Sequence, residues 1–193
     1  FVNVNVQHQM QMNNTTGDIT VCDCEINGGN VAQNAQIVIL QNRTLNVKGK
    51  LDVNSTGTTT NATGIVLVIG NVNADYDVNF TKTNTHATGG DAYLLLWSAP
   101  STVNIAGDLN VTSTGAVGGA LGVSIGGLGT DVNIAGEVNL NLIEGGDIVL
   151  YMTGGNFNVG TNLNINKTGG QDVNIDLTGF GKIDVTGNVA IDA

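Results

Sequence analysis

Two cysteines, Cys22 and Cys24, are the residues whose chemistry could link this chain covalently to another. They form a Cys-Asp-Cys segment in a predicted strand, where residues i and i+2 lie on the same face. Their Cβ atoms are then too far apart for a strain-free disulfide, which needs about 3.8 Å. If they are oxidised, we expect each to pair with a cysteine of another chain. The alternative is two free, partly buried thiols.

Metal chemistry has few possible ligands in this sequence. A structural zinc site needs four ligands, and besides the cysteines only His8 and His86 remain, so we expect no metal site of this kind. Residues 126–131 read Gly-Gly-Leu-Gly-Thr-Asp, which matches the start of a calcium-binding nonapeptide repeat and makes Asp131 the calcium candidate. Such a site is completed only by tandem copies, and this sequence has one. A plain turn explains the segment equally, and no cofactor is expected.

Hydrolytic chemistry on a β-helix would need clustered carboxylates with a basic residue in a groove. Asp75 and Asp77 share one face of a predicted strand, but they lie on its polar side. The six basic residues are scattered among different parts of the chain: Arg43, Lys48, Lys50, Lys82, Lys167 and Lys182. We therefore predict that the chain is not an enzyme.

Composition and charge exclude several classes of partner. The net charge is −10 over 193 residues, which removes the electrostatic attraction that nucleic acids and anionic membrane surfaces depend on. No stretch approaches the roughly 20 apolar residues of a membrane-spanning helix, so we expect no membrane insertion. With 41% hydrophobic residues the chain has ample surface to bury, and disorder is not expected.

An internal repeat organises the chain. Nine-residue windows that begin apolar-Asn-apolar, or apolar-Asp-apolar in the last copy, recur with starts 27, 31, 29, 25 and 26 residues apart. A weaker copy begins near Ile19. The six clear windows are residues 45–53, 72–80, 103–111, 132–140, 157–165 and 183–191.

The pattern inside each window predicts strands. Positions one, three, seven and nine are apolar, and positions two and eight are Asn or Asp in most copies, which is the period of a strand with one buried face. Gly usually occupies position five and indicates a bend midway along the strand. A second apolar run follows each Gly/Thr/Asn-rich turn, at residues 37–40, 65–69, 93–97, 117–125, 148–152 and 173–177.

These repeats predict an all-β protein of stacked two-strand β-arches, a parallel β-solenoid of about six repeats of roughly 27 residues. A single arch could not bury its own apolar face, whereas stacked neighbours cover it. The alternative is an antiparallel sandwich with ordinary hairpins. In the solenoid, the asparagines at position two would stack in a hydrogen-bonded ladder. They are Asn46, Asn73, Asn104, Asn133 and Asn158.

The sequence divides into an N-terminal segment, residues 1–17, and a repeat domain, residues 18–193. Residues 2–12 alternate strictly and predict one eleven-residue strand, which pairs either with a neighbouring subunit or with its own first repeat. The last window lies at the end of the sequence, and no polar capping segment is visible there, so we expect an exposed strand edge that can template another chain.

The sequence begins at Phe1 and not at Met, so either a leader has been removed or the chain has been trimmed; if a signal peptide was removed, we expect an exported protein. Asn-x-Ser/Thr sequons are compatible with glycosylation at a cell surface, although a sequence so rich in Asn and Thr produces some by accident. The sequons are at Asn13, Asn14, Asn42, Asn54, Asn61, Asn79, Asn110 and Asn166.

The repeated Val-Asn-Val/Ile-x-Gly arches, the lone cysteine pair and the sequons resemble the amyloid-like major sheath proteins of filamentous methanogenic archaea. That resemblance implies β-arches that stack across subunits into hoops cross-linked by disulfides, with Cys22 and Cys24 as the cross-linking residues. Tyr76 and Thr161 depart from the pattern, since Gly is expected there. We expect a self-assembling extracellular structural protein whose partner is itself. The alternative is a β-solenoid adhesin or glycan-binding surface module.

Overall fold

The computed structural model describes residues 3–12, 17–28, 35–57, 63–84, 92–98, 100–114, 121–143, 146–169 and 172–193. These residues form strands and connecting turns, and no helix occurs among them. In chain order the strands are β1 (Val4–Gln7), β2 (Gln9–Met12), β3 (Ile19–Val21), β4 (Cys24–Gly28), β5 (Ala35–Val47), β6 (Leu51–Gly57), β7 (Thr63–Ala74), β8 (Val78–Asn84), β9 (Ala92–Ser98), β10 (Thr102–Ile105), β11 (Leu109–Thr114), β12 (Leu121–Ile125), β13 (Asp131–Ile134), β14 (Val138–Ile143), β15 (Ile148–Met152), β16 (Asn156–Val159), β17 (Leu163–Thr168), β18 (Val173–Leu177), β19 (Lys182–Val185) and β20 (Val189–Asp192).

The strands stack in parallel into two sheets. The first sheet has eight strands in the order β1-β4-β6-β8-β11-β14-β17-β20. The second sheet has two columns, because β5 and β7 are long and each contributes to both. We call them the apolar column (β2, β9, β12, β15, β18 and the N-terminal halves of β5 and β7) and the amide column (β3, β10, β13, β16, β19 and the C-terminal halves).

The architecture confirms the predicted all-β parallel solenoid with a spacing of about 27 residues per coil. Residues aligned on successive coils are separated by 25 to 31 positions, except between β1 and β4, where the separation is 20. The ladders keep their register through this variation, apart from irregularities between residues 40 and 43 of β5 and between residues 67 and 68 of β7. Turns absorb the difference in length, so each apolar position still meets its counterpart one coil away.

Each coil has three strand segments where the sequence predicted two. The nine-residue window divides at its centre: in one coil β10 belongs to the second sheet, the turn at residues 106–108 forms a corner, and β11 belongs to the first sheet. The predicted bend at Gly is therefore a break between strands. The chain runs from the first sheet to the apolar column, then to the amide column, and then to the next coil.

The N-terminal segment stacks on the chain's own first repeat. β1 pairs with β4 and β2 pairs with β5, both in parallel, so residues 4–12 form the first strands of the solenoid. The predicted single eleven-residue strand is wrong, because His8 has a φ of 81° and separates β1 from β2. Its backbone still bonds to the next coil, since the His8 carbonyl accepts a hydrogen bond from the Gln36 N–H.

The core fills the space enclosed by the first sheet and the two columns of the second sheet. Inward side chains along the middle coils are mostly apolar and almost fully buried. The inner side of the first sheet also buries polar side chains, those of Ser55, Lys82, Ser113 and Lys167. Each such side chain contributes about 1.5–3 kcal/mol when it leaves water, so the stack as a whole, and not any one coil, carries the stability. In one coil the inward residues are Val103, Ile105, Leu109, Val111, Leu121, Val123 and Ile125.

Candidate functional site

The five predicted ladder asparagines lie in one row on the outer face of the amide column. Four of them donate a hydrogen bond from Nδ2 to Oδ1 of the asparagine one coil earlier, at 2.8–2.9 Å: Asn158 to Asn133, Asn133 to Asn104, Asn104 to Asn73, and Asn73 to Asn46. One N–H and one oxygen lone pair per amide remain available to solvent or to a ligand. The row is thus a repeating array of donors and acceptors at the strand spacing of about 4.8 Å.

A second amide ladder, which the sequence analysis did not single out, runs along the outer face of the first sheet. Asn164 Nδ2 donates to Asn139, Asn139 to Asn110, and Asn110 to Asn79, at 2.8–2.9 Å. Asn79 in turn donates to the carboxylate of Asp52 at 2.8 Å. The signal was present in the windows, because these residues occupy position eight.

Carboxylates at the corner between the amide column and the first sheet form a further row that sequence reasoning missed. Oδ1 of Asp23 accepts a hydrogen bond from the backbone N–H of Lys50 at 2.8 Å, and Oδ1 of Asp77 accepts one from the N–H of Asp108 at 2.8 Å. Asn162 holds the N–H of Asn188 in the same way at 2.9 Å. These hydrogen bonds connect the corner of each coil to the corner of the next coil.

The two cysteines do not share a face of one strand. Cys22 is half-buried in the turn between β3 and β4, whereas Cys24 points into the core from β4 with an exposed fraction of 0%. Both are free thiols in the structure. Burial raises the pKa of the Cys24 thiol from 9.0 to about 11, which disfavours the reactive thiolate. Of the two predicted cross-linking residues, Cys22 is the accessible one.

The sequon asparagines occupy different environments. Asn54, Asn79, Asn110 and Asn166 lie in the outer rows of the first sheet, where each Nδ2 donates to a neighbouring side chain. Asn42 differs, because it is exposed, has a φ of 55° and lies in the irregular part of β5 between residues 40 and 43. The sequons at Asn13, Asn14 and Asn61 fall outside the described residues.

The predicted metal and catalytic candidates are dispersed. Asp131 opens β13, and its Oδ1 accepts a hydrogen bond from Asn156 Nδ2 at 2.7 Å. Within the described ranges no three His, Cys, Asp or Glu residues lie close enough to hold a metal ion.

Lys48 pairs with Asp75 at 3.0 Å on the surface, while Lys82 and Lys167 are buried on the inner side of the first sheet. His86 is outside the described part of the chain.

The coil formed by β18, β19 and β20 exposes apolar side chains that earlier coils bury. Ile175 is 43% exposed although Leu150, its partner one coil earlier, is 1% exposed. Ile191 is 52% exposed, and its partner Ile165 is fully buried. Among the described residues these three strands pair on one edge only. Their free edges carry both unpaired backbone groups and apolar side chains.

A groove of about 670 Å³ follows the outer face of the amide column. Four asparagines of the ladder and the small residues Ala106, Ala135 and Gly160 are among the residues that line it. Its size is that of a small-ligand site. Because the groove repeats the same groups from coil to coil, it suits a ligand that repeats along the solenoid axis.

Comparison with known proteins gives no match: no family model, no curated protein and no solved structure is significantly similar to this chain. Within the part of the chain that the structure describes, no helix is long and apolar enough to cross a membrane. The functional argument therefore depends on the geometry of the solenoid itself.

Proposed function

We propose that this chain is a self-assembling extracellular structural protein that polymerises by stacking coils end to end into a sheath, tube or fibre. The observation that carries the proposal is the open coil of β18, β19 and β20, whose inward apolar side chains are exposed. Free parallel strand edges of this kind template the pairing of another chain. The resemblance of the repeats to archaeal sheath proteins supports the same function.

The opposite end of the solenoid offers matching edges. β1, β2 and β3 each pair on one side only among the described residues. β1 lies in the first sheet with β20, β2 in the apolar column with β18, and β3 in the amide column with β19. Placing the first coil of one copy on the last coil of another continues all three ladders in parallel. The inward residues Val4, Val6, Met10 and Ile19 would then cover the exposed residues of the last coil. A head-to-tail contact of this type generates an open filament when the rotation between copies does not close, and a ring when it does.

Cys22 follows β3 in the first coil, so in an end-to-end stack it would lie beside the last coil of another copy. That coil, residues 172–193, contains no cysteine, so a disulfide cannot bridge this junction. In an oxidising extracellular setting Cys22 could instead pair with Cys22 of a copy in a neighbouring filament. Buried Cys24 would need local opening before it could take part.

The experiment is electron microscopy and sedimentation of the purified chain at high concentration, with and without reductant. We expect filaments or sheets, and we expect Ile191→Lys to prevent them, because the charge would enter the junction. The matched control is Ala190→Lys, since Ala190 is the preceding residue of β20 and aligns with outward Asn164. Wild-type protein that remains monomeric and indifferent to reductant would contradict the proposal.

A glycan-binding surface module is the second candidate, and the groove along the amide column favours it. Asparagine amides donate to and accept from sugar hydroxyls, and the small residues among the groove lining leave room for pyranose rings. A binding module would be monomeric and would bind neutral linear polysaccharides, with loss of binding in Asn133→Ala. Titration of the wild-type monomer and this variant with such polysaccharides tests that function.

A further inference from the structure

The outer face of the apolar column differs in chemistry from the other two outer faces. Its outward side chains include Val38, Tyr93, Leu95, Val149 and Tyr151, which are half-buried or exposed. The described outward positions of the N-terminal half of β5 and of β9, β12 and β15 carry no charge, in a chain of net charge −10. We call this surface the apolar face. Contiguous exposed apolar surface of this kind marks an interaction site.

The apolar face contains both a groove and a protruding aromatic side chain. The groove, of about 330 Å³, is lined by Tyr93, Leu95, Gly122 and Val149 among others. A Cβ on Gly122 would lie 1.8 Å from the Val149 carbonyl oxygen, so no side chain can occupy this position. Tyr151 is 38% exposed and lies one coil further along, aligned with Ser124.

We propose that a second copy of this chain packs against the apolar face, with Tyr151 of each copy entering the Gly122 groove of the other. A surface that carries both the knob and the hole is complementary to itself under a two-fold axis. This inference rests on the proposed function, because it describes how end-to-end polymers associate side by side.

Charge selects this face for contact between copies. Two molecules of net charge −10 repel, and juxtaposed like charges are costly when they lose water. The outer face of the amide column carries Asp131 and Asp184, and the outer face of the first sheet carries Glu25 and Asp52. The described outward positions of the apolar face between β5 and β15 carry no charge. Asp176 of β18, aligned with Tyr151, lies at the edge of this stretch. The two-fold contact would set Asp176 against β9 of the other copy and not against a second carboxylate.

The area of the apolar face explains why lateral pairing depends on end-to-end stacking. Five strands spaced about 4.8 Å apart, each with about 15 Å of outward surface, offer roughly 350 Å² per copy. A stable interface needs about 800 Å² per partner. A single pair of copies therefore falls short, whereas copies joined end to end add their contacts at high effective concentration.

The test measures filament width separately from filament length by electron microscopy of the full chain. We expect wild-type filaments to be paired, and Tyr151→Lys or Ser124→Lys to reduce the paired fraction at least tenfold while leaving filament length unchanged. Thr81→Lys is the matched control, since Thr81 is an exposed outward residue of the first sheet. It should leave pairing intact, and circular dichroism would verify that each variant folds.

The outcomes separate this inference from the proposed function. Wild-type filaments that are single, or variants at residues 124 and 151 that stay paired, overturn the lateral contact and leave end-to-end assembly standing. Equal loss of pairing in Thr81→Lys also overturns it, because the effect would then be one of added charge anywhere on the surface. The absence of any filament contradicts both.

Discussion

Oδ1 of Asp108 accepts a hydrogen bond from the backbone N–H of Glu137 at 2.7 Å, which joins the same corner of two successive coils. The corner lies between the amide column and the first sheet, where the chain leaves one strand and has not yet entered the next. A backbone N–H there has no place in the ladders of either sheet. The aspartate supplies the missing acceptor, and Asp108 itself donates its N–H to Asp77 in the same way.

Removal of the Asp108 carboxylate should destabilise the solenoid. We expect Asp108→Ala to lower the free energy of unfolding by about 1–3 kcal/mol, because the N–H of Glu137 loses its acceptor. Chemical denaturation followed by circular dichroism measures the change. Glu137→Ala is the control, since the carboxylate of Glu137 accepts only from the side chains of Asn162 and Asn164. A loss in the control as large as that in Asp108→Ala would show that the backbone bond has no special role.

The amide ladder predicts that replacing an interior asparagine lowers the free energy of unfolding more than replacing a terminal one. Asn104 donates to Asn73 and accepts from Asn133, whereas Asn46 only accepts from Asn73 within the ladder. At about 0.5–1.5 kcal/mol for each hydrogen bond, Asn104→Ala should cost about twice as much stability as Asn46→Ala. Comparison of the two midpoints in urea checks this ratio. Equal midpoints would mean that the ladder bonds contribute nothing beyond local packing.

The buried thiol predicts both selective labelling and a pH dependence. In the folded chain, iodoacetamide at pH 8 should modify Cys22 at least ten times faster than Cys24, because burial raises the pKa of Cys24 to about 11. The folded state holds this proton more tightly than the unfolded state, so the stabilisation is full below pH 9 and is lost as the pH rises towards 11.

Two measurements check the cysteine prediction. Peptide mapping after labelling, with and without denaturant, gives the two rates. Denaturation of wild type and Cys24→Ala at several pH values gives the linkage, and the difference in their unfolding free energies should shrink between pH 9 and 11. Labelling of both thiols at one rate in the folded chain would contradict the burial of Cys24.

The sequence predicted the parallel stacking and the asparagine ladder of the solenoid but not the corners between its strands. The window at residues 103–111 shows why. Val103 and Ile105 precede the corner and Leu109 and Val111 follow it, so inward residues keep odd positions on both sides. The period of two therefore continues unbroken through the turn. The same holds around His8, where alternation persists although the strand ends. Periodicity alone could not separate three strands per coil from two.

The glycine at position five has a cause that only the stacked coils make visible. A Cβ on Gly107 would lie 2.1 Å from Oδ1 of Asp77, and one on Gly136 would lie 2.0 Å from Oδ1 of Asp108. Glycine thus leaves room for the carboxylate that binds the following N–H. This interaction links residues 29 or 31 positions apart, beyond the reach of any local pattern.

The presence of Tyr76 and Thr161 in place of glycine at position five follows from the same contact with the corner residue of the preceding coil. Tyr76 stands one coil after the corner residue Lys50, whose side chain has no acceptor atom. Thr161 stands one coil after the corner of Glu137, whose carboxylate turns to the side chains of Asn162 and Asn164. Where no side-chain oxygen of the preceding coil occupies the corner, position five can carry a side chain larger than that of glycine. What the sequence alone presented as irregularity is a consequence of which acceptor the preceding coil provides.

All strand pairs in the described residues run parallel, and this gives the solenoid a direction. Its first and last described coils are chemically different: β1 presents half-buried valines, and β20 presents an exposed isoleucine and valine. A single filament assembled from such units would therefore have two unlike tips and unequal rates of subunit addition. Two filaments joined by a two-fold axis that exchanges Tyr151 and Gly122 would run in opposite directions, because these residues lie one coil apart. The pair would present one tip of each kind at either end, and growth would proceed equally in both directions.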